Sequence, residues 1–306
     1  MRVMNHMSDD VKGELIRRIR DLCAPLDPVL TGAASRLDRL EGIRCVLFDM
    51  YGTLLVSGSG DVGTAAAVDS AEALEGALVS AGVVPAEEHV ARRGVELLGR
   101  FVRAAHTRRL DKGAECPEVD IRDIWRQVLF ALRQQRLIDG GEDEKTMLKV
   151  AVEYECRVNP VWPMPGMKTV LDQLLGRPVR LGIVSNAQFY TPLVIEAVAG
   201  CRYEELGFDP ALCSWSYRVG EAKPSVSMFV DVLQRLEREH DVRPPGVLYV
   251  GNDMRNDVWT ASRAGCRTAL FAGDKRSLRM REDDERCRGV KPDVIAVRLE
   301  EISECV

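Results

Sequence analysis

"IRCVLFDMYGTLL", residues 43–55, decides how the rest of the chain is read. Its apolar run, Cys45 to Phe48, is shorter than an ordinary helix and stops at an acid, Asp49. A short unbroken apolar run bounded by a turn signal predicts a strand buried on both faces, the kind found in parallel sheets. The same form recurs in "VRLGIVSN" (179–186), "GVLYVGND" (246–253), "CRTALFAG" (266–273) and the shorter "PDVIAV" (292–297), with "LCSWSYRVG" (212–220) as a further strand. Helical periods separate them, at 190–200, 225–240 and 258–265. This alternation predicts an α/β fold, a doubly wound parallel sheet with helices on both faces.

The stretch that follows the first strand has another character. From 64 to 156 apolar residues recur three and four apart, as in "ARRGVELLGRFVRAAHTRRL" and "IRDIWRQVLFALRQQRL", and no strand is legible. An all-helical insertion is therefore expected there, closed by the proline-rich "NPVWPMPGM" (159–167). Val11, Leu15, Ile19 and Leu22 add a lead-in helix before the sheet. The expected organisation is an N-terminal helical extension over 1–42, a core formed by 43–63 and 157–306, and a helical cap over 64–156.

Composition limits the partners. The chain has 306 residues, 46% of them hydrophobic, enough for a sizeable core, and a net charge of -5. That balance gives no electrostatic reason to expect nucleic acid or an anionic membrane. No window reaches the roughly 18 apolar residues of a span, and the N-terminus lacks the apolar centre of a signal peptide. Nine cysteines, an odd number with no Cys-x-x-Cys pair, suit a reducing compartment, so a cytoplasmic location is the expectation. The four histidines are isolated, which leaves no zinc-type cluster to read.

In open α/β sheets ligands bind beyond the carboxyl ends of the strands. Three strands carry polar groups there: Asp49, Ser185 with Asn186, and Asn252 with Asp253. With Lys223 in "AKPSVSMF", the ordered set "VLFDMYGTLL", "GIVSN", "AKPSVSMF" and "YVGNDMRNDVWTASRAG" resembles the haloacid dehalogenase-like (HAD) hydrolase superfamily, over roughly residues 43–300. The resemblance implies a Rossmann-like core with an inserted helical cap of the C1 type. It also implies Asp49 as a nucleophile that forms a covalent aspartyl intermediate. Thr53 and Ser185 would hold oxygens of the transferring group, next to Asn186, and Lys223 would neutralise charge. Each has a plainer reading: a turn aspartate after a strand, a solvated lysine before a proline, and an N-cap for the fourth motif.

The resemblance further implies Mg2+, held by Asp49, the backbone carbonyl of Tyr51, and Asn252 or Asp253, with Asp257 close by. The family commonly has an acid directly after the motif's glycine. Here Asn252 stands there and Asp253 follows, and the sequence does not choose between them.

Tyr51 complicates the reaction. Phosphatases of the superfamily usually carry a second aspartate two residues after the nucleophile, to protonate the leaving group and later activate water. A phenol, with a pKa near 10, is a poor substitute at neutral pH. Asp-x-Tyr-Gly-Thr is also the form of 2-haloacid dehalogenases, whose halide needs no proton and which are metal-independent. The acids Asp253 and Asp257 favour a Mg2+-dependent phosphohydrolase acting on a small anionic metabolite. The alternatives are a dehalogenase and a degenerate relative that binds a ligand or partner without turnover.

Gly58, Gly60 and Gly63 match a dinucleotide-binding spacing, but they follow the strand-to-helix turn instead of occupying it, so they read as hinge material. The basic run from Arg92 to Lys112 reads mainly as the wet face of a helix, and "DKRSLRMREDDERCRG" (274–289) as a solvated helix or loop.

Overall fold

The computed structural model describes residues 7–59, 67–87 and 89–306. In chain order the described elements are α1 (Asp9–Leu22), β1 (Cys45–Phe48), β2 (Leu55–Ser57), α2 (Ala67–Ser80), β3 (Val84–Pro85), α3 (Val90–Leu110), α4 (Ile121–Gln134) and β4 (Ile138–Asp139). Then follow α5 (Glu144–Val158), β5 (Val161–Pro163), α6 (Met167–Leu175), β6 (Arg180–Ser185), α7 (Thr191–Ala199), β7 (Phe208–Trp215), α8 (Ser216–Val219) and α9 (Ser227–His240). The chain ends with β8 (Val247–Gly251), a π-helical turn (Met254–Trp259) running into α10 (Thr260–Arg263), β9 (Arg267–Phe271), β10 (Val294–Ala296) and α11 (Glu301–Glu304).

The central sheet has the order β10-β9-β8-β1-β6-β7, and every pairing in it is parallel. Every residue of β1 and β8, at its middle, is buried. This is why these strands read as continuous apolar runs instead of alternating ones. Register places Phe48 against both Ile183 and Val250, so the ends of β1, β6 and β8 lie level and the residues after them emerge side by side.

The edge strand differs from its expected extent. β7 starts at Phe208 and passes through Asp209 and Pro210, with a register shift between Leu181 and Ile183, and then gives way to the helical turn α8. A proline is tolerated because this strand has one neighbour only. The expected helix 258–265 likewise begins earlier, as a π-helical turn capped by Asp253.

Helices α2 to α5 pack on one another as a separate layer, with a small antiparallel ribbon of β3 and β4 that the sequence did not reveal. Its two connections to the sheet run together as the antiparallel pair β2–β5. Asn159 joins them, its Oδ1 accepting from Ser57 Oγ (2.7 Å) and from the Ser59 N–H (3.2 Å). Gly58 N–H donates to the Pro160 carbonyl in the same ribbon; Gly60 and Gly63 lie outside the described residues. A second tie is made by the loop after α3: Glu118 N–H donates to the Gly220 carbonyl and Ala222 N–H to the Cys116 carbonyl, while the Glu221 carboxylate accepts from the N–H groups of Glu115 and Cys116.

Among the described residues of the N-terminal extension, the helix is α1. That helix docks on α7 and α5 through buried Leu15, Ile16 and Ile19, with Lys12–Glu196 at 2.7 Å and Arg18–Glu153 at 2.6 Å. The residues after it run along the sheet edge, where Arg36 and Ile295 exchange backbone hydrogen bonds and cover part of β10. Among the described residues, no helix is long and apolar enough to cross a membrane.

Candidate active site

Asp49, Ser185, Asn186, Lys223, Asn252 and Asp257 converge at the carboxyl ends of β1, β6 and β8. Lys223, 4% exposed, is the hub: its Nζ lies 2.9 Å from Asp49 Oδ1, 2.6 Å from Asp257 Oδ1 and 2.7 Å from the Tyr249 hydroxyl. Its backbone is clamped by Asn186, whose Oδ1 accepts from the Lys223 N–H (2.7 Å) and whose Nδ2 donates to the Lys223 carbonyl (3.2 Å). Burial alone disfavours the ammonium, but Asp257 and Asp49 outweigh it and hold the Lys223 pKa above its ordinary value. Burial pushes Asp257 up to about 6, against the opposing pull of Lys223.

Asp257 is reached through Gly251, where any Cβ would overlap the Asp257 carboxyl. Asp257 Oδ2 accepts from the Asp253 N–H at 2.8 Å. Tyr249, which sequence reading missed, donates its hydroxyl to the Val184 carbonyl at 2.7 Å, and burial raises its pKa well above the ordinary value. It fixes Lys223 from below, between β6 and β8.

The loop 49–53 is held by Asn252. Thr53 Oγ1 donates to Asn252 Oδ1 (3.1 Å), and Asn252 Nδ2 donates to the Ser277 carbonyl (2.6 Å). Gly52 has φ +78°, and a Cβ there would come 2.7 Å from Asn252 Nδ2 and collide with Ser277. The charge-rich stretch 274–289 is thus a loop that packs on the site through Ser277 and Arg281 while half of its residues stay exposed. Arg281 grips Asp253, with Nη2 2.6 Å from Oδ2 and Nε 3.1 Å from both oxygens. Asp253 also caps the π-helical turn, accepting from the N–H groups of Arg255 and Asn256.

This arrangement bears on the metal. Among the described residues, no three His, Cys, Asp or Glu side chains are grouped to hold an ion. Asp253 is committed to Arg281 and two backbone donors. Asn252 is the fourth-motif residue packed on the Asp49 loop, and its carboxamide oxygen keeps a lone pair beyond the one given to Thr53. A donor set of Asp49, the Tyr51 carbonyl and Asn252 suits Mg2+, which keeps several waters and needs few protein oxygens.

Ser185 is fully buried, and its hydroxyl makes a 3.5 Å contact with the Asn186 carbonyl. Tyr51 does not point its phenol at a proton-transfer partner: its hydroxyl pairs with Thr191 Oγ1 at 2.9 Å, and burial, with Glu155 nearby, raises its pKa well above the ordinary value.

Tyr51 and Asn186 also line a cavity of about 610 Å³ between the sheet and the helical layer. Of the basic run on α3, Arg103 and His106 reach this cavity; Arg93 pairs instead with Glu96, and Arg100 stacks on Phe101.

The site is thus a buried Asp–Lys–Asp unit at the carboxyl ends of a parallel α/β sheet. The family model for haloacid dehalogenase-like hydrolases matches residues 43–265, and the chain belongs to that family. No protein of curated function matches its sequence. Among solved structures it is similar to a 2-haloacid dehalogenase from Pseudomonas syringae pv. Tomato DC3000, at 20% identity and TM-score 0.54, covering 86% of this chain and 97% of that one. It is also similar to the magnesium-bound HAD-hydrolase YfnB from Bacillus subtilis (18% identity, TM-score 0.48, 86% and 98% covered). A HAD phosphatase from Thermococcus onnurineus matches at 19% identity and TM-score 0.47, with 86% and 97% covered. At these identities the likeness is one of fold.

Proposed function

We propose that this hydrolase cleaves phosphate monoesters of small anionic metabolites through a covalent ester on Asp49, with residues 64–156 acting as a cap. The observation that carries this reading is the pairing of the Asp49–Lys223 centre with a cavity of about 610 Å³. That volume is within the ~300–1,000 Å³ of pockets for drug-sized ligands, more room than a two- or three-carbon haloacid fills.

In the proposed reaction an Asp49 carboxylate oxygen attacks phosphorus and the bond to the ester oxygen breaks. Water then attacks the phosphorus of the aspartyl phosphate, releasing inorganic phosphate and restoring the carboxylate. Lys223 pairs with Asp49 and offsets charge on the phosphoryl oxygens, anchored by Asp257, Tyr249 and Asn186. Ser185, with its long contact, is free to donate to a phosphoryl oxygen. Thr53 serves by positioning Asn252. Two carboxylates against one ammonium leave the centre net negative, and Mg2+ bound by Asp49, Tyr51 and Asn252 would supply positive charge for a dianionic substrate.

One observation favours a second reading. The Tyr51 hydroxyl is committed to Thr191, and a leaving halide needs no proton, so hydrolysis of 2-haloacids is the alternative. The test is phosphate release from p-nitrophenyl phosphate and a metabolite panel, with Mg2+ or chelator, beside Asp49→Asn, and halide release from 2-haloacids in parallel. Phosphate release that requires Asp49 supports the first reading. Halide release that persists in chelator replaces it with the second. Silence in both assays leaves a ligand-binding relative without turnover.

A further inference from the structure

The cavity has a chemistry of its own. Its apolar wall comes from three helices of the proposed cap: Val95, Leu98 and Val102 on α3, Trp125 on α4, and Tyr154 and Val158 on α5. Trp125, 1% exposed, meets Tyr154 edge to face with ring centroids 5.2 Å apart and backs the wall, while the half-buried Tyr154 faces the cavity. Two acids, Glu118 and Glu155, stand among the polar groups of the lining, both held short of easy ionisation. Burial raises the pKa of Glu155, whose Oε2 accepts from the Tyr190 hydroxyl at 2.8 Å. It does the same to Glu118, whose Oε2 accepts from Ser216 Oγ at 2.8 Å.

Cationic groups are few here. Arg103 lines the cavity but is exposed to solvent. His106 has a buried Nε2 without a hydrogen-bond partner, and burial, with Arg109 next to it, lowers its pKa. Among the lining residues a phosphate or carboxylate at the far end of a substrate would meet one solvent-exposed guanidinium and two carboxyl groups, at a desolvation cost. A ring would gain from the apolar surface it buries.

The leaving group is constrained independently. No carboxylic acid stands at position 51, and the Tyr51 hydroxyl is turned to Thr191. An alkoxide, with basicity near that of hydroxide (pKa about 15.7 for water), needs a proton as it departs. A phenolate, at about 10, departs without one.

Resting on the phosphohydrolase reading, we infer that the substrate is a phosphate monoester of an aromatic alcohol, its ring held against Tyr154 and the apolar side chains of α3 and carrying no second anionic group. The phosphorus–oxygen bond breaks with its electron pair on the aryl oxygen, which takes its proton from water after release. Phosphorus is transferred to Asp49 and then to water, so atoms and charge balance with no further reactant.

The test compares kcat/KM for 2-naphthyl phosphate, glycerol 3-phosphate, a sugar bisphosphate and acetyl phosphate. Acetyl phosphate has a good leaving group and no ring. Val102→Trp and Val95→Trp, two independent fillings of the cavity, are assayed on the same set, and binding of 2-naphthol to Asp49→Asn is followed by calorimetry. The expected result is a preference for 2-naphthyl over glycerol 3-phosphate of 100-fold or more, the low end of what general acid help is worth. The ratio of naphthyl to acetyl phosphate should fall at least tenfold in either filled variant, and 2-naphthol should bind the unfilled protein. Phosphate released from glycerol 3-phosphate or the bisphosphate as readily as from the aryl ester overturns this inference and leaves the phosphohydrolase reading standing. Phosphate from none of the four, acetyl phosphate included, overturns both.

Discussion

The Lys223 ammonium is 2.6 Å from Asp257 Oδ1, nearer than its 2.9 Å approach to Asp49. Both members of the closer pair are about 2% exposed, so neither charge is compensated by water. Breaking such a buried pair by removing one partner costs about 3–5 kcal/mol. Lys223→Met should therefore lower the urea midpoint sharply as well as abolish activity, and adding Asp257→Asn should recover part of the stability, because the stranded carboxylate is gone. A double variant no more stable than the single one would contradict this account.

The pKa of Asp257 gives a pH dependence of definite sign. Its folded value, about 6, lies above its ordinary 3.8. The folded state therefore binds the proton more tightly, and this group's contribution to stability is full below about pH 4 and is lost as the pH rises through 6. Wild type should gain stability relative to Asp257→Asn as the pH is lowered from 7 to 4, read from urea midpoints of the two proteins. A difference that is flat, or that grows the other way, would show that Lys223 dominates the carboxyl.

Asn252 and Asp253 should separate cleanly in a metal titration. Asp253→Asn retains an N-cap acceptor and should leave the Mg2+ dependence unchanged. Asn252→Asp adds a charge beside Asp49 and should tighten Mg2+ binding on the order of tenfold, since ligand charge sets affinity. It should also lose about 1–3 kcal/mol of stability, because the Ser277 carbonyl loses its donor. Calorimetric Mg2+ titration of both proteins is the check, and equal weakening by the two substitutions would remove the assignment.

Tyr51→Phe removes the hydrogen bond to Thr191, worth about 0.5–1.5 kcal/mol. Thr191 Oγ1 still accepts from the Gln188 N–H. If the phenol has no part in proton transfer, kcat should change by less than about tenfold. A fall of 10² or more, the size of general acid–base assistance, would make Tyr51 a participant.

Ile19, fully buried where α1 meets α7 and α5, tests the docking of the extension. Ile19→Ala should cost about 2–5 kcal/mol, measured by thermal melting. A neutral result would mean that α1 is not part of the cooperative unit.

What could be read in advance followed from one rule. Parallel strands with level ends bring forward whatever follows them, so Asp49, Ser185, Asn186 and Asn252 could be grouped from strand positions alone. Tyr249 could not, because a strand buried on both faces has no polar–apolar alternation to show which side a residue takes. Arg281 and Ser277 were hidden differently: a charge-rich stretch looks the same whether its guanidinium meets water or Asp253. The family resemblance suggested that the fourth motif holds metal, and the Arg281–Asp253 contact that bears on Asn252 against Asp253 leaves no mark in the sequence. The strand expected over 212–220 runs instead over Phe208–Trp215 and through Pro210, a residue compatible with a strand only at an edge, which local sequence does not show. The β3–β4 ribbon, two residues on each side, is too short to leave a period.

The tie between the loop after α3 and residues 220–222 has a mechanical consequence. Ala222, which donates to the Cys116 carbonyl, is the immediate neighbour of Lys223. Any displacement of the helical layer would pull on the peptide unit next to the ammonium that lies between the two aspartates. The position of that layer and the alignment of the cation therefore share one seam.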